Sequence, residues 1–119
     1  MRPRQPDPAA FLPLKTEVAL LLMSLETRPL HGYAMIKDVR ERSEGTVRLQ
    51  TGALYRHLRR LLDDALIVEV DRPAGEESED ERRRYYRVTP LGKAVIEAEL
   101  ARMARLVQAA RVRRKASPA

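Results

Sequence analysis

The chain has 119 residues, a net charge of +6 and no cysteine. This length supports one domain with a modest core and one further element for association. The lack of cysteine excludes disulfides, thiolate metal sites and a cysteine nucleophile. The proline-rich start has no apolar stretch behind it, and the longest apolar run, Val18 to Met23, is too short to span a bilayer. We therefore expect a soluble, cytoplasmic protein with no signal peptide and no membrane partner.

The positive charge suggests an anionic partner, but its distribution weakens that inference. Five of the six surplus charges lie in residues 90–119. They come chiefly from a basic run near the C-terminus, Arg111, Arg113, Arg114 and Lys115. Such a run is most often solvated, although it could add nonspecific, salt-sensitive affinity for a nucleic acid. The positions of the charged residues, and not the net charge, must therefore decide whether the chain is predicted to bind a nucleic acid.

The first third of the chain predicts an arm and two helices. Residues 1–11 are rich in proline and predict a flexible arm. A first helix is predicted over 12–27 and ends before Pro29. Its apolar stripe consists of Leu14, Val18, Leu21, Leu22 and Leu25. A second helix is predicted over 31–43, with Tyr33, Ile36 and Val39 or Arg40 at helical spacing. The short, β-branched residues 46–49 predict a brief strand.

A central helix starting near Thr51 separates its apolar and basic residues. The apolar stripe is Leu54, Leu58, Leu61 and Leu62, and the opposite face carries Tyr55, Arg56, Arg59 and Arg60, with His57 at the side. Arginine and tyrosine side chains can reach phosphates and base edges, and a helix of this width fits the DNA major groove. The alternative is a surface helix with solvated arginines, some of them paired with Asp63.

Two strands follow the central helix. Leu66, Val68 and Val70 alternate in the first, predicting one inward face, and residues 83–89 form the return strand with Arg84, Tyr86 and Val88 on one face. The loop between them carries five acids, Glu76, Glu77, Glu79, Asp80 and Glu81. An acidic tip is repelled by phosphate, so we expect Arg82 and Arg83 at its base to touch the DNA backbone. The alternative is that these acids and arginines neutralise one another.

A last helix begins with Thr89 as N-cap and Pro90 at its first position, and it is predicted to end near Arg113. Its apolar residues recur like heptads at Ile96, Leu100, Met103, Val107 and Ala110. We expect this seam to pack on a partner subunit and on the first helix. The alternative is packing on its own domain.

This order of elements predicts a mainly α fold with a small β-hairpin (α+β), a winged helix-turn-helix domain with a C-terminal dimerisation helix. In such proteins the second helix of the pair enters the major groove. The predicted organisation is an arm (1–11), a DNA-binding domain (12–89), the dimerisation helix (90–114) and a disordered tail (115–119). Two histidines without cysteine make a zinc site improbable, and no glycine-rich phosphate loop is present, so we expect no enzyme, metal or cofactor.

The sequence resembles the PadR family of bacterial transcriptional regulators over about residues 14–95. The resemblance rests on His31-Gly-Tyr, on Thr51-Gly-Ala-Leu-Tyr-Arg-His-Leu, on the run from Leu61 to Val68 and on Tyr85-Tyr-Arg-Val-Thr-Pro-Leu-Gly. It implies a homodimeric repressor that binds double-stranded DNA at a pseudo-palindromic operator through residues 51–63. A single C-terminal helix matches the short form of the family. Ala53, Arg56 and Ala65 depart from the family pattern, so the operator sequence cannot be transferred.

Candidate sites follow from the residues and the resemblance together. The expected DNA contacts are Thr51, Tyr55, Arg56, Arg59, Arg60, Arg82 and Arg83. The expected dimer contacts are Leu14, Val18, Ile96, Leu100, Met103 and Val107. The family analogy also suggests a small aromatic or hydrophobic effector, in a pocket at the dimer interface between the first and last helices, lined by Phe11, Leu14, Val18 and Met103. The alternative function is a winged-helix protein–protein interaction module without specific DNA binding.

Overall fold

The computed structural model describes residues 6–75 and 83–116. Its elements are a 3-10 helix (Pro8–Phe11), α1 (Thr16–Ser24), β1 (Leu30–His31), α2 (Gly32–Arg42), α3 (Thr51–Asp63), β2 (Ile67–Val70), β3 (Tyr85–Val88) and α4 (Pro90–Ala116). The strands form an antiparallel sheet in the order β1-β3-β2. The predicted fold class, a mainly helical winged helix-turn-helix with a small sheet, is confirmed.

The first helix is shorter than predicted at both ends. The prediction began it at residue 12, but Leu12 and Lys15 have extended backbones and α1 starts at Thr16. Pro13 explains this difference, because the residue before a proline is disfavoured in the helical region. Part of the predicted arm is also ordered, since Pro8–Phe11 forms the 3-10 helix and packs against α4.

The predicted inward face of the second helix is correct at Val39 and wrong at Tyr33. Met35 and Val39 are buried, whereas Tyr33 is 71% exposed. The strand predicted over 46–49 is also wrong. That segment is a loop, held by a hydrogen bond from the Val47 N–H to Ser43 Oγ at 3.0 Å. The third strand is instead β1, which pairs with β3 and places His31 opposite Tyr85.

The core lies where the four helices meet the sheet. Its members include Leu21, Leu22, Met35, Val39, Leu54, Leu58, Leu61, Leu66, Ile67, Val95 and Ile96. Helix α3 has nearly the predicted bounds and buries Leu54, Leu58 and Leu61. Leu62, predicted to be part of the same stripe, is 37% exposed. Because α3 buries only a narrow stripe, the wide opposite face is left to solvent.

The wing strands are confirmed, but their inward faces differ from the prediction. Leu66 and Ile67 are buried in succession while Val68 is exposed, so the predicted alternation from Leu66 is wrong. Tyr85 and Tyr86 are likewise both buried although successive strand residues point to opposite faces. Ala65 has a positive φ of 59° at the helix-to-strand turn. This left-handed conformation favours glycine, but the chain has alanine there.

Helix α4 begins as predicted and then extends away from the core. The Thr89 hydroxyl accepts a hydrogen bond from the Gly92 N–H at 3.0 Å, which confirms the N-cap. Gly92 lies so close to the wing that a Cβ there would be 2.0 Å from the Leu66 carbonyl oxygen. Val95, Ile96 and Glu99 are buried, but all residues from 104 to 116 are exposed.

Candidate nucleic-acid interface

The exposed face of α3 carries every recognition-helix residue predicted from the sequence. These residues are Thr51, Tyr55, Arg56, Arg59 and Arg60, all of them exposed. The buried leucines fix the rotation of α3 about its axis. Packing in the core therefore decides which side chains of α3 face outward. It presents cations and a phenol together, a combination suited to phosphates and base edges.

The three arginines of this face differ in their pairing. Arg60 Nε lies 3.1 Å from Asp64 Oδ2. An ion pair with Asp63 is the alternative to DNA contact that the sequence suggests, and Arg60 pairs with the next residue instead. Neither Arg56 nor Arg59 forms an ion pair with a residue that the structure describes. Arg56 and Arg59 are therefore the cations of α3 best placed to meet an external anion.

His57 lies at the edge of this face and has a structural role. Its Nε2 is 2.7 Å from Glu17 Oε2, which joins α3 to α1 across the domain. The imidazole is 17% exposed, much less than the arginines beside it. This contact adds to the buried leucines in holding α3 against α1.

The base of the wing contributes a second group of polar side chains. Arg83 and Arg84 line a cleft of about 380 Å³ together with His31, Gly32, Tyr33, Tyr55 and Tyr86, and we name it the wing cleft. Arg84 Nε is 3.8 Å from Glu69 Oε1 on β2. Arg82 and the five acids of the loop lie outside the described residues. Sequence reasoning missed Tyr33, because its spacing with Ile36 suggested the inner face of α2.

Residues 21–98 match the model of the transcriptional regulator PadR-like family. The chain belongs to this family. Its fold is similar to a PadR family regulator from Clostridium difficile, with 31% identity and a TM-score of 0.65 over 85% of this chain and 97% of that chain. A PadR family regulator from Eggerthella lenta is 25% identical, with a TM-score of 0.64 over 86% of this chain and 84% of that one.

The structure of Bacillus subtilis PadR in complex with operator DNA is also similar in fold. It is 22% identical with a TM-score of 0.60, over 74% of this chain and 48% of that chain. No curated protein matches the chain. None of the helices in the described part of the chain is long and apolar enough to cross a membrane.

The predicted dimer contacts of this PadR-like chain fall into two groups. Ile96 is completely buried in the core of its own chain, and Leu14, Val18 and Met103 are half-buried against that core. Leu100 and Val107 are exposed on α4. Leu106 and Val112 are exposed on the same part of the helix, and the heptad spacing did not select them. The apolar surface of α4 is therefore wider than the predicted seam.

The cavity nearest to the predicted effector pocket lies elsewhere on the PadR-like fold. Phe11, Leu14 and Val18 line a cleft of about 540 Å³, but its other wall comes from α3 and the start of the wing and includes His57 and Leu61. Met103 is not among its lining residues, so this cleft is not the pocket predicted at the dimer interface, which stays a prediction. The apolar wall faces a rim that also carries Lys15, Arg60 and Asp64.

A buried carboxylate connects the N-terminal segment to α4. Glu99 accepts a hydrogen bond from the Leu14 N–H at 2.6 Å and one from Arg102 Nε at 2.5 Å. The hydrogen bond from Arg102 holds the pKa of Glu99 below its ordinary value, against the opposing effect of burial and with help from the Leu14 N–H. Glu99 thereby holds the extended residues before α1 against the last helix.

Proposed function

We propose that this PadR-like chain is a homodimeric, sequence-specific DNA-binding repressor of transcription that recognises a pseudo-palindromic operator. The observation that carries the proposal is the outer face of α3, where Arg56 and Arg59 stand exposed beside Tyr55 without an ion-pair partner in the described part of the chain. A helix that buries its leucines in the domain and presents cations outward suits the major groove. The operator complex of Bacillus subtilis PadR, on the same fold, supports this assignment.

The residues of the face have different roles in the proposal. Arg56 and Arg59 read bases or bind the phosphates that flank them, and Tyr55 and Thr51 position the helix on the backbone. Arg60 contributes less because Asp64 partly neutralises it. Arg83, with Arg82, contacts the backbone from the wing.

A dimer follows from the symmetry that such an operator requires. Two recognition helices must lie one turn of DNA apart, and a two-fold axis between subunits provides that spacing. The exposed apolar side chains of α4, Leu100, Leu106 and Val107, are the surface that we assign to the partner subunit. An effector, if one acts, is a small aromatic or hydrophobic compound held against Phe11, Leu14 and Val18.

The test is selection of bound fragments from genomic DNA by the purified protein, repeated with the R56A/R59A variant. We expect one palindromic motif with the native protein and its loss with the double variant. A matched control is K93A/R105A, which removes the same charge from exposed positions on α4. Weak binding that is equal for all sequences and vanishes at moderate salt would refute sequence-specific recognition and favour a protein-interaction module.

A further inference from the structure

We infer that Gly52 is the point of closest approach between α3 and the operator, where a base edge in the major groove occupies the space that a side chain would fill. The inference rests on the proposed function and adds to it a residue that determines operator affinity through the side chain that it lacks. It depends on the packing around the glycines, on the place of Gly52 on α3 and on the width of the groove.

The five glycines of the chain differ in what requires a glycine. Gly45 and Gly75 have positive φ angles of 80° and 86°, a backbone conformation that other residues rarely adopt. Gly32 and Gly92 are crowded, since a Cβ there would lie 3.1 Å and 2.0 Å, respectively, from the nearest atom of another segment. Gly52 is helical, and a Cβ there would meet no other segment of the described chain within 4 Å. Neither backbone conformation nor packing within the domain therefore requires Gly52.

The glycine at residue 52 lowers the stability of α3. Glycine loses more conformational freedom on folding than alanine does and is disfavoured in helices. An alanine would fit at this position without a clash and would strengthen the helix. We assign the gain that offsets this loss to a contact outside the domain, because a residue without a side chain permits a close approach of its backbone to a ligand.

Gly52 lies on the midline of the exposed face of α3. It precedes Arg56 and Arg59 on the same side of the helix, at i+4 and i+7. The buried Leu54 and Leu61 lie on the opposite side. Neither arginine forms an ion pair with a residue that the structure describes, so this side of α3 offers its cations to a polyanion. The duplex that meets Arg56 and Arg59 in the proposed function is therefore the molecule that approaches Gly52.

The dimensions of the major groove give the missing side chain its effect. A helix with its side chains is about 10–12 Å across and the groove is about 12 Å wide, so a helix within the groove has little clearance. The midline of such a helix faces the base edges, whereas its flanks face the two phosphate backbones. A side chain at residue 52 would therefore hold the first turn of α3 away from the base edges.

The experiment measures stability and operator affinity on the same variants, by urea unfolding and by fluorescence anisotropy. Gly52→Ala is expected to unfold at a higher urea concentration than the native protein and to bind the operator about 10-fold more weakly. Gly52→Leu has a longer side chain and is expected to weaken binding more than about 50-fold. Ala101→Leu is the matched control, because it enlarges an exposed side chain on α4 and should leave operator affinity unchanged.

A second readout distinguishes a base edge from the phosphate backbone. Affinities are measured for a set of operators in which one base pair at a time is replaced. One base pair in each half-site should lose its effect on affinity in Gly52→Ala while the others retain theirs, because the replacement and the variant remove the same contact. The slope of log K against log[salt] should not differ between the native protein and Gly52→Ala, since no phosphate contact is lost.

The outcomes separate this inference from the proposed function. If the native protein selects no operator, both fail. If Gly52→Ala binds the operator as tightly as the native protein does, the close approach is wrong and the proposed function stands. If Gly52→Ala is less stable than the native protein, the domain itself requires the glycine and the inference is overturned. If Gly52→Ala weakens binding to the operator and to a random duplex equally and reduces the salt slope, the contact is with the phosphate backbone and the base-edge contact is overturned.

Discussion

Helices α3 and α4 leave opposite kinds of surface exposed. In α3 Leu54, Leu58 and Leu61 are buried in the domain, and the exposed side is cationic, with Arg56 and Arg59 as its most available groups. In α4 the first half is buried through Glu99, while the second half exposes Leu106, Val107 and Val112. The two surfaces therefore suit the two partners that we propose, a polyanion for α3 and an apolar surface for α4.

This difference shows how one small core could present the two proposed interfaces. The core buries Leu54, Leu58 and Leu61 of α3, so the side proposed to face DNA belongs to a fixed helix. It holds only the start of α4, and every residue from 104 to 116 is exposed. Changes in α3 should accordingly affect recognition with little loss of stability, whereas changes in α4 should affect stability near its start and assembly near its end.

The largest expected effect comes from the exposed half of α4. Val107→Glu places two carboxylates in the proposed symmetric interface and is expected to give monomers in sedimentation velocity. Operator affinity should then fall more than about 100-fold, because one recognition helix must bind a half-site alone. The control is Ala101→Glu, which adds the same charge at an exposed position away from Leu100, Leu106 and Val107. If Val107→Glu sediments as native protein does, α4 is not the dimer interface at this position.

The next largest effect compares a glycine at the start of each helix. Gly92→Ala in α4 would place a Cβ 2.0 Å from the Leu66 carbonyl oxygen and 2.7 Å from Val88 Cγ2, so α4 and the wing must separate. We expect a loss of about 3 kcal/mol in the free energy of unfolding, measured in urea. Gly52→Ala in α3 meets no atom within 4 Å and should instead stabilise by about 0.5–1 kcal/mol. Equal effects of the two variants would contradict the difference in packing.

The third effect is a pH dependence of the stability of the fold, which we attribute to Glu99. The pKa of this carboxyl is lowered from its ordinary 4.5, first by the Arg102 hydrogen bond, so it is lower in the folded chain than in the unfolded one. Its stabilisation is therefore present above about pH 4.5 and is lost as the pH falls through the folded value. Glu99→Gln should cost roughly 1–3 kcal/mol at pH 7 and should flatten the fall in Tm on acidification.

Glu97→Gln provides the matched control for this dependence. Glu97 lies on the same helix but is exposed, so its replacement should leave the acid limb of the Tm profile unchanged. If Glu99→Gln follows the native profile as closely as Glu97→Gln does, the buried carboxylate does not hold the N-terminal segment in the way described.

The spacing of apolar residues predicted the helices whose apolar side chains lie along one face over several turns. The bounds of α3 and the start of α4 were correct because four leucines and a Thr-Pro cap are strong local signals. The two-residue strand β1 was missed because its existence depends on pairing with β3, more than 50 residues away. Tyr33 was assigned to the inner face because an aromatic at helical spacing usually packs in a core.

The candidate site likewise has a part that local sequence patterns predict and a part that they do not. The exposed face of α3 could be predicted because it lies opposite the buried leucines of the same helix. The wing cleft could not, since it joins His31 on β1 to Arg83 before β3, and a spacing in sequence does not show a distance across a sheet. Ile96 is the converse case, since its heptad spacing suggested a partner but the core of its own chain buries it.

The smallest expected effect separates two neighbouring arginines of α3. Arg59 has no ion-pair partner among the described residues, whereas Arg60 is paired with Asp64 at i,i+4. An exposed pair of this kind contributes little to stability, at most about 0.5 kcal/mol, but it partly neutralises the charge offered to DNA. Arg59→Ala should weaken operator binding about 10-fold and Arg60→Ala no more than about 3-fold, by anisotropy at one salt concentration. Asp64→Asn frees Arg60 and should slightly strengthen binding; if it weakens binding instead, the pair orients Arg60 toward the DNA and does not compete with it.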